Sequence, residues 1–317
     1  MPAAVYIDGH VGTTGLRIRE WLAPRRDLVV HTLDEADRKD PRARREALAA
    51  ADVAVLCLPD DASRAAAAWA EEAGTAVVDA STAHRVAEGW VYGLPELAPE
   101  QRNAIAAARR VTNPGCYAQG FVLLVRPLVD AGLLARDAPL GIHALSGYTG
   151  GGRTLIERWE DPVRGLLSLP YEAPYAFDRV HKHIPEMKAY ARLVHEPQFV
   201  PAAGPFPCGM RVQVPIHAAR LAGVAVRSLW EALAARYERE VFVRVAPFIE
   251  PPTTDEHSLD PRACNDTNRI ELHVLAHPSG HAVLVAVLDN LGKGACGNAI
   301  QSINLLLGLP ETSGLPV

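Results

Sequence analysis

The chain has 317 residues, 49% of them apolar and 22% charged, enough for two domains of ordinary size, each with its own core. A net charge of −5 gives no electrostatic reason to expect nucleic acid or an acidic membrane surface as partner, although it leaves room for a local basic pocket that takes a phosphorylated ligand. Cysteines at 57, 116, 208, 264 and 296 are odd in number and lack C-x-x-C spacing, which points to free thiols in a reducing, cytoplasmic setting.

In chain order, Ala3 to Ile7 reads as a short strand with no basic flank or signal core before it, and no apolar stretch is long enough to span a membrane. The expectation is a soluble protein. Gly9-His10-Val11-Gly12-Thr13-Thr14-Gly15 follows, then Leu16 to Leu22 with helical spacing. Strand, glycine turn and helix suit a dinucleotide pyrophosphate, because glycines admit the phosphates to the backbone and the helix start supplies N–H donors. Gly9, Gly12, Thr13, Thr14 and Gly15 are the cofactor-binding candidates there. The spacing is G-x-x-G-x-x-G, and alone it is weak.

Context strengthens it. A strand (Leu28 to Thr32), a helix (Arg42 to Ala50), a strand (Asp52 to Leu58), a helix (Asp61 to Ala73) and a strand (Thr75 to Asp79) predict an α/β fold with a doubly wound sheet. Asp34, behind the second strand, argues for NAD, whereas His31, Arg38 and Lys39 argue for a 2′-phosphate, and these residues leave the choice open. Cys57 reads as a packed strand residue. Asp79 opens the polar stretch Asp79-Ala80-Ser81-Thr82-Ala83-His84-Arg85, where Ser81 is a further cofactor candidate and Thr82 and Arg85 either touch ligand or satisfy the loop.

Asn113-Pro114-Gly115-Cys116-Tyr117-Ala118-Gln119 is the most informative segment. Its proline-glycine bend opens the apolar run Phe121 to Val129, a buried helix with Cys116 at its N-terminus. The open N–H groups there favour an anion and lower a thiol pKa from about 8.5 into a range of about 3.5–7.5. That describes a nucleophile; a small capping residue is the plainer alternative.

Beyond it, strands at Leu140 to Ser146, Met210 to Ile216, Val241 to Ala246, Ile270 to Ala276 and Ala282 to Leu288, with a helix from Val226 to Arg239, predict a second α+β domain on a mixed, largely antiparallel sheet. Ser146-Gly147-Tyr148-Thr149-Gly150-Gly151-Gly152-Arg153 suits a carboxylate or phosphate, with Arg153 as the fixed charge; a surface loop is the alternative. His181-Lys182-His183 supplies a candidate acid/base in His181, with His183 second, and Lys182 and His183 help hold an anion. Two histidines without a third ligand argue against a metal. Gln119 and Ser146 complete the substrate-binding candidates. The turn Asp289-Asn290-Leu291-Gly292-Lys293-Gly294-Ala295 precedes a last helix, Asn298 to Leu307, expected to pack on the first domain with Asn290 to Ala295 beside a nicotinamide. The resulting division is 1–115 with 290–317, and 116–289.

These motifs, with Tyr92-Gly93-Leu94-Pro95-Glu96, resemble the N-acetyl-γ-glutamyl-phosphate reductases of arginine biosynthesis, in the shorter of that family's two types, almost end to end. The resemblance implies a Rossmann-type first domain, NADP(H) as cofactor, a cysteine thioester formed from an acyl-phosphate substrate, no metal, and a homo-oligomer (dimer or tetramer) built through the second sheet. Gly150-Gly151-Gly152 departs mildly from the family's Gly-Ala-Gly or Gly-Ser-Gly. The competing readings are an aspartate-semialdehyde dehydrogenase, a reductase for a longer acyl phosphate in lysine synthesis, and a non-catalytic dinucleotide-sensing module.

Overall fold

The computed structural model describes residues 2–165, 168–249 and 259–317. Two compact units are built from them: Met1–Pro114 with Ala295–Pro316, and Gly115–Gly294.

The first unit holds β1 (Ala3–Asp8), α1 (Thr13–Leu22), β2 (Leu28–His31), α2 (Pro41–Ala49), β3 (Val53–Leu56), α3 (Asp60–Ala73), β4 (Ala76–Asp79), β5 (Val91–Tyr92), α4 (Gln101–Ala106) and β6 (Arg110–Thr112). Its six strands run parallel in the order β2-β1-β3-β4-β6-β5. Every residue of β3 and β4 is buried, as expected of parallel strands covered on both faces. Small alanines on α3 (Ala66, Ala67 and Ala70) let that helix settle against Tyr6, Leu56 and Val77. The strand order reverses between β1 and β3, where ligands settle on such sheets.

The glycine turn after β1 is dictated sterically. Gly9 has φ +89°, and a Cβ there would stand 2.3 Å from the Cys57 carbonyl oxygen. A Cβ on Gly15 would stand 2.5 Å from the Gly9 oxygen. Gly12 is the extended N-cap (φ −76°, ψ 160°), so α1 begins at Thr13, three residues before the apolar spacing predicts, and no side chain caps its first turn.

The carboxyl end of β4 carries a buried polar knot. Asp79 accepts hydrogen bonds from Ser63 Oγ (2.6 Å), the Ser81 N–H (2.9 Å) and Ser81 Oγ (2.8 Å), and lies 2.6 Å from His84 Nδ1. The His84 ring stacks on Trp90 at 4.0 Å. Residues 91–112, unassigned in the sequence, supply β5, α4 and β6, all too short to show a period.

The second unit holds α5 (Cys116–Asp130), β7 (Gly141–Gly147), α6 (Arg153–Trp159), β8 (Ala173–Pro174), α7 (Ile184–Tyr190), β9 (Gln198–Gly204), β10 (Met210–Ile216), α8 (Ala218–Leu221), α9 (Val226–Tyr237), β11 (Val243–Val245), β12 (Ile270–Ala276) and β13 (Ala282–Leu288). The sheet order is β11-β12-β13-β10-β7-β9-β8. Pairs β11–β12 and β7–β9 are parallel and the other four antiparallel, so the sheet is mixed and largely antiparallel. Helix α5 is buried from Tyr117 through Val129 and packs on β10, β13, α7 and α9. The glycine stretch after β7 is not a bare loop: Tyr148–Gly151 forms one 3-10 turn and Arg153 opens α6. After a π-helical turn, Gly292–Cys296, the chain ends in α10 (Gly297–Leu306), which packs in the first unit against α1, α4, β3 and β4. There Asn298 Nδ2 donates to the Gly93 carbonyl and, at 2.9 Å, to Asn113 Oδ1.

Burial opposes ionisation of Asp79, but the hydrogen bonds from His84, Ser63 and Ser81 outweigh it and hold the carboxyl below its ordinary value. Folding therefore favours the ionised form. Its contribution is fully present above the unfolded value of about 3.9 and is lost as pH falls through the lowered folded value. Asp79→Asn should cost about 1–3 kcal/mol at neutral pH and flatten the loss of stability below about pH 4. Denaturant titrations across pH check this; an unchanged acid slope would contradict it.

Candidate active site

Cys116 is the first residue of α5, and its N-cap, Gly115, is extended (φ −75°, ψ 143°) with no side chain closing the helix end. The thiol therefore sits at the positive end of the helix, where an anion is stabilised. The Gly115 N–H donates to Glu186 Oε2 at 3.0 Å, tying the cysteine turn to α7. The turn before α10 presses on the other side: a Cβ on Gly294 would stand 2.8 Å from the Cys116 Cβ. Cys57 differs chemically, since enclosure, then the carboxylates of Asp79 and Asp8, push its thiol up to about 12.

Next to Cys116, the buried Tyr117 ring packs on His181 (5.8 Å), His183 (5.6 Å) and Phe199 (5.1 Å). The two histidine rings lie 4.8 Å apart at 85°. The His183 backbone N–H donates to His181 Nδ1 at 3.2 Å, which assigns the neutral His181 ring's proton to Nε2. Tyr175 reaches in from the sheet edge. Its hydroxyl donates to the Tyr117 hydroxyl at 3.1 Å and its N–H to the Pro201 carbonyl at 3.0 Å. The next residue, Ala176, is left-handed at φ 61°, a strained conformation for a residue with a side chain. Burial raises both phenols first; Tyr175 and then Cys116 raise Tyr117 further, while Tyr175, its rise opposed by the Tyr117 hydrogen bond and aided by Cys116, is pushed up to about 12. Both stay protonated at neutral pH.

Gln119, one turn along α5, is fully buried, and neither of its amide atoms has a hydrogen-bond partner among the described residues. A buried amide left this way is a ready contact for a ligand. Ser146, Gly150 and Asn290 are brought together: a Cβ on Gly150 would stand 3.2 Å from both Ser146 Oγ and Asn290 Nδ2. Asn290 accepts from the Gly209 N–H at 2.8 Å and donates to Thr149 Oγ1 at 3.3 Å, so its side chain fastens loops of the second unit. Arg153 and Lys182 are not drawn in. The Arg153 side chain is 91% exposed and pairs with Glu157 at 2.8 Å, and Lys182 is exposed.

In the first unit, Ser81 is engaged by Asp79, and Thr82 donates to Asp60 from both its N–H and its hydroxyl. Beside the glycine turn, at the carboxyl ends of β1 and β3, lies a cavity of about 350 Å³. Among the described residues no three His, Cys, Asp or Glu side chains are grouped to hold a metal ion, and no helix is long and apolar enough to cross a membrane.

Sequence reasoning missed the Glu186 clamp, the Tyr117–Tyr175 pair and the approach of Gly294. Glu186 and Gly115 are 71 residues apart, and no local pattern announces such a pairing.

Residues 116–290 match the family model "Semialdehyde dehydrogenase, dimerisation domain", and residues 25–105 match "Semialdehyde dehydrogenase, NAD binding domain". The chain is 46% identical over 312 residues to "N-acetyl-gamma-glutamyl-phosphate reductase 2" of Pseudomonas putida, covering 98% of each chain. It is 47% identical over 307 residues to the N-acetyl-gamma-glutamyl-phosphate reductase of Burkholderia ambifaria, covering 96% of each. Among solved structures, aspartate semialdehyde dehydrogenase II from Vibrio cholerae, complexed with ASA, superposes with a TM-score of 0.73 at 16% identity, over 97% of this chain and 99% of that one. At that identity the likeness speaks to the fold.

If Glu186 holds the cysteine turn, Glu186→Ala should leave the Gly115 N–H unsatisfied and cost about 1–3 kcal/mol. Glu186→Gln, which keeps an acceptor oxygen, should recover most of that. Chemical denaturation of the two variants checks it; equal losses would refute the clamp.

Proposed function

Because the chain belongs to the N-acetyl-gamma-glutamyl-phosphate reductase family, we propose that it reduces N-acetyl-L-glutamyl 5-phosphate to N-acetyl-L-glutamate 5-semialdehyde and phosphate, with NADPH, in arginine biosynthesis. The observation that supports this most is Cys116 in the first turn of α5, with Gln119 one turn behind it and the His181 segment packed on Tyr117.

Cys116 thiolate attacks the acyl carbon, phosphate leaves, and a thioester remains on the sulfur. The helix end favours the thiolate. The reduced nicotinamide, when bound, supplies the hydride that converts thioester to aldehyde oxidation level. The Cys116 backbone N–H and the Gln119 amide are suited to steady the oxygen that gains charge. His181 accepts the His183 N–H at Nδ1, so the proton of the neutral ring is on Nε2. That tautomer suits a donor to the departing phosphate, in keeping with His181 as the proposed acid/base. Arg153 and Lys182, both exposed, remain proposed anchors for the substrate carboxylate and phosphate.

A nicotinamide dinucleotide fits the first unit. The Gly9 and Gly15 positions exclude a Cβ, and the first turn of α1 carries no side-chain cap, which leaves Gly12, Thr13 and Thr14 to receive the pyrophosphate. The first unit would then bind cofactor, with Ser81 nearby, and the second would carry the chemistry. A homo-oligomer is the proposed assembly, supported by the match to a dimerisation domain, and five unbridged cysteines accord with a cytoplasmic setting. Relatives at 46–47% identity favour this substrate over aspartate semialdehyde.

Phosphate-dependent reduction of NADP should proceed with N-acetylglutamate semialdehyde and fall by about 10³-fold or more in Cys116→Ser. Turnover that survives the serine would sink the covalent route. Faster turnover with aspartate semialdehyde would reassign the substrate.

A further inference from the structure

Lys293 is among the largest fully buried side chains of the described residues, and it belongs to the turn that touches Cys116. That turn is wide. The Gly294 N–H donates to the Asp289 carbonyl, five residues back, at 2.8 Å, and Gly292–Cys296 is π-helical, a rare form that recurs at functional sites. Asp289 fastens its first end: the buried carboxylate accepts the Leu291 and Asp266 N–H groups, each at 2.9 Å. The backbone has no slack around it. A Cβ on Gly292 would stand 2.4 Å from the Thr267 carbonyl oxygen, and one on Gly294 would stand 2.8 Å from the Cys116 Cβ. A shift of this turn is therefore felt at the cysteine.

The Lys293 ammonium lies 5.8 Å from the centre of the Phe242 ring, within cation–π range. Phe242 is buried too, and its carbonyl accepts the Ile270 N–H at 2.8 Å, which ties the ring's backbone to the start of β12. Enclosing an ammonium costs several kcal/mol that a methionine of similar length would not. Packing alone gives no reason for a lysine here. A side chain with no exposed surface also has no path to a substrate. What the lysine adds is charge, attracted to the ring face and carried by the residue next to the one that abuts Cys116.

We propose that Lys293 is a positioning residue for Cys116: its ammonium, held on the Phe242 ring, keeps the 289–294 turn against the cysteine and so fixes the thiol at the start of α5. The inference rests on Cys116 as the nucleophile of the proposed reduction.

The test uses the full-length protein and two readouts. One is the rate of Cys116 alkylation by iodoacetamide from about pH 5 to 10, followed by peptide mass. The other is kcat and KM for phosphate-dependent reduction of NADP with N-acetylglutamate semialdehyde. In Lys293→Met the alkylation midpoint should rise by about one pH unit, through loss of a neighbouring cation and of the fixed position. Its kcat should fall by about 10- to 100-fold while both KM values stay within about threefold, since nothing that touches a ligand is removed. Phe242→Leu keeps the charge and removes the ring, so it should shift both readouts the same way by less. A lower melting temperature with wild-type midpoint and kcat would make Lys293 a packing residue and overturn the proposal. If Lys293→Met does not fold, Phe242→Leu decides, and an unchanged midpoint and kcat there would overturn it equally. No turnover by a wild type whose Cys116 alkylates below the ordinary thiol range would instead reject the substrate, and the alkylation comparison would still judge Lys293.

Discussion

The start of α5 is the constraint on which the second unit turns. Thirteen consecutive residues after Cys116 are buried, so the helix cannot slide or rotate without exposing core. Its N-terminus is held from outside by the Glu186 carboxylate on the Gly115 N–H and from alongside by Gly294 against the cysteine Cβ. A thiol fixed there gains the field of the helix end. Tyr117 extends the same rigidity sideways to His181, His183 and Phe199, and the strained Ala176 holds Tyr175 in place behind it. The energy stored at Ala176 is of order 1–2 kcal/mol, small beside the burial of the tyrosines it positions.

The first unit solves a different problem, which is to pack backbone closely against backbone at the turn after β1. Gly9 and Gly15 leave no space for side chains, and the switch between β1 and β3 opens a cavity next to them. Nearby, the Asp79 knot fixes the loop after β4 with four polar partners on one buried carboxylate. Ser81 and Thr82 are thereby committed to the protein's own carboxylates, which makes them shape the rim more than reach from it.

Much of this was legible in the sequence, for reasons that differ by element. The strands Met210–Ile216, Ile270–Ala276 and Ala282–Leu288 match their predicted bounds residue for residue, because the first two alternate apolar with polar residues over part of their length, the third is an unbroken apolar run, and turn residues flank them. Helix α1 was misplaced by three residues because a glycine N-cap leaves no polar signature. Strands β5, β6 and β8 have two or three residues and no period to detect. Among the site candidates, Cys116, Gln119 and the two histidines carry local signals that agree with their placement in one unit. Arg153 was legible as a charge beside glycines, but once Gly152 caps α6 its guanidinium turns to Glu157 four residues on. Tyr175 gave no signal because its partner lies 58 residues away.

The central claim is that Cys116 becomes acylated. Its most direct test is the intact mass of the protein mixed with N-acetylglutamyl phosphate in the absence of reduced cofactor, followed by peptide mapping. The account predicts one acyl adduct, located on the Cys116 peptide, sensitive to hydroxylamine and absent from Cys116→Ser. No adduct on a wild type that turns over when reduced cofactor is added, or an adduct on another residue, would contradict it.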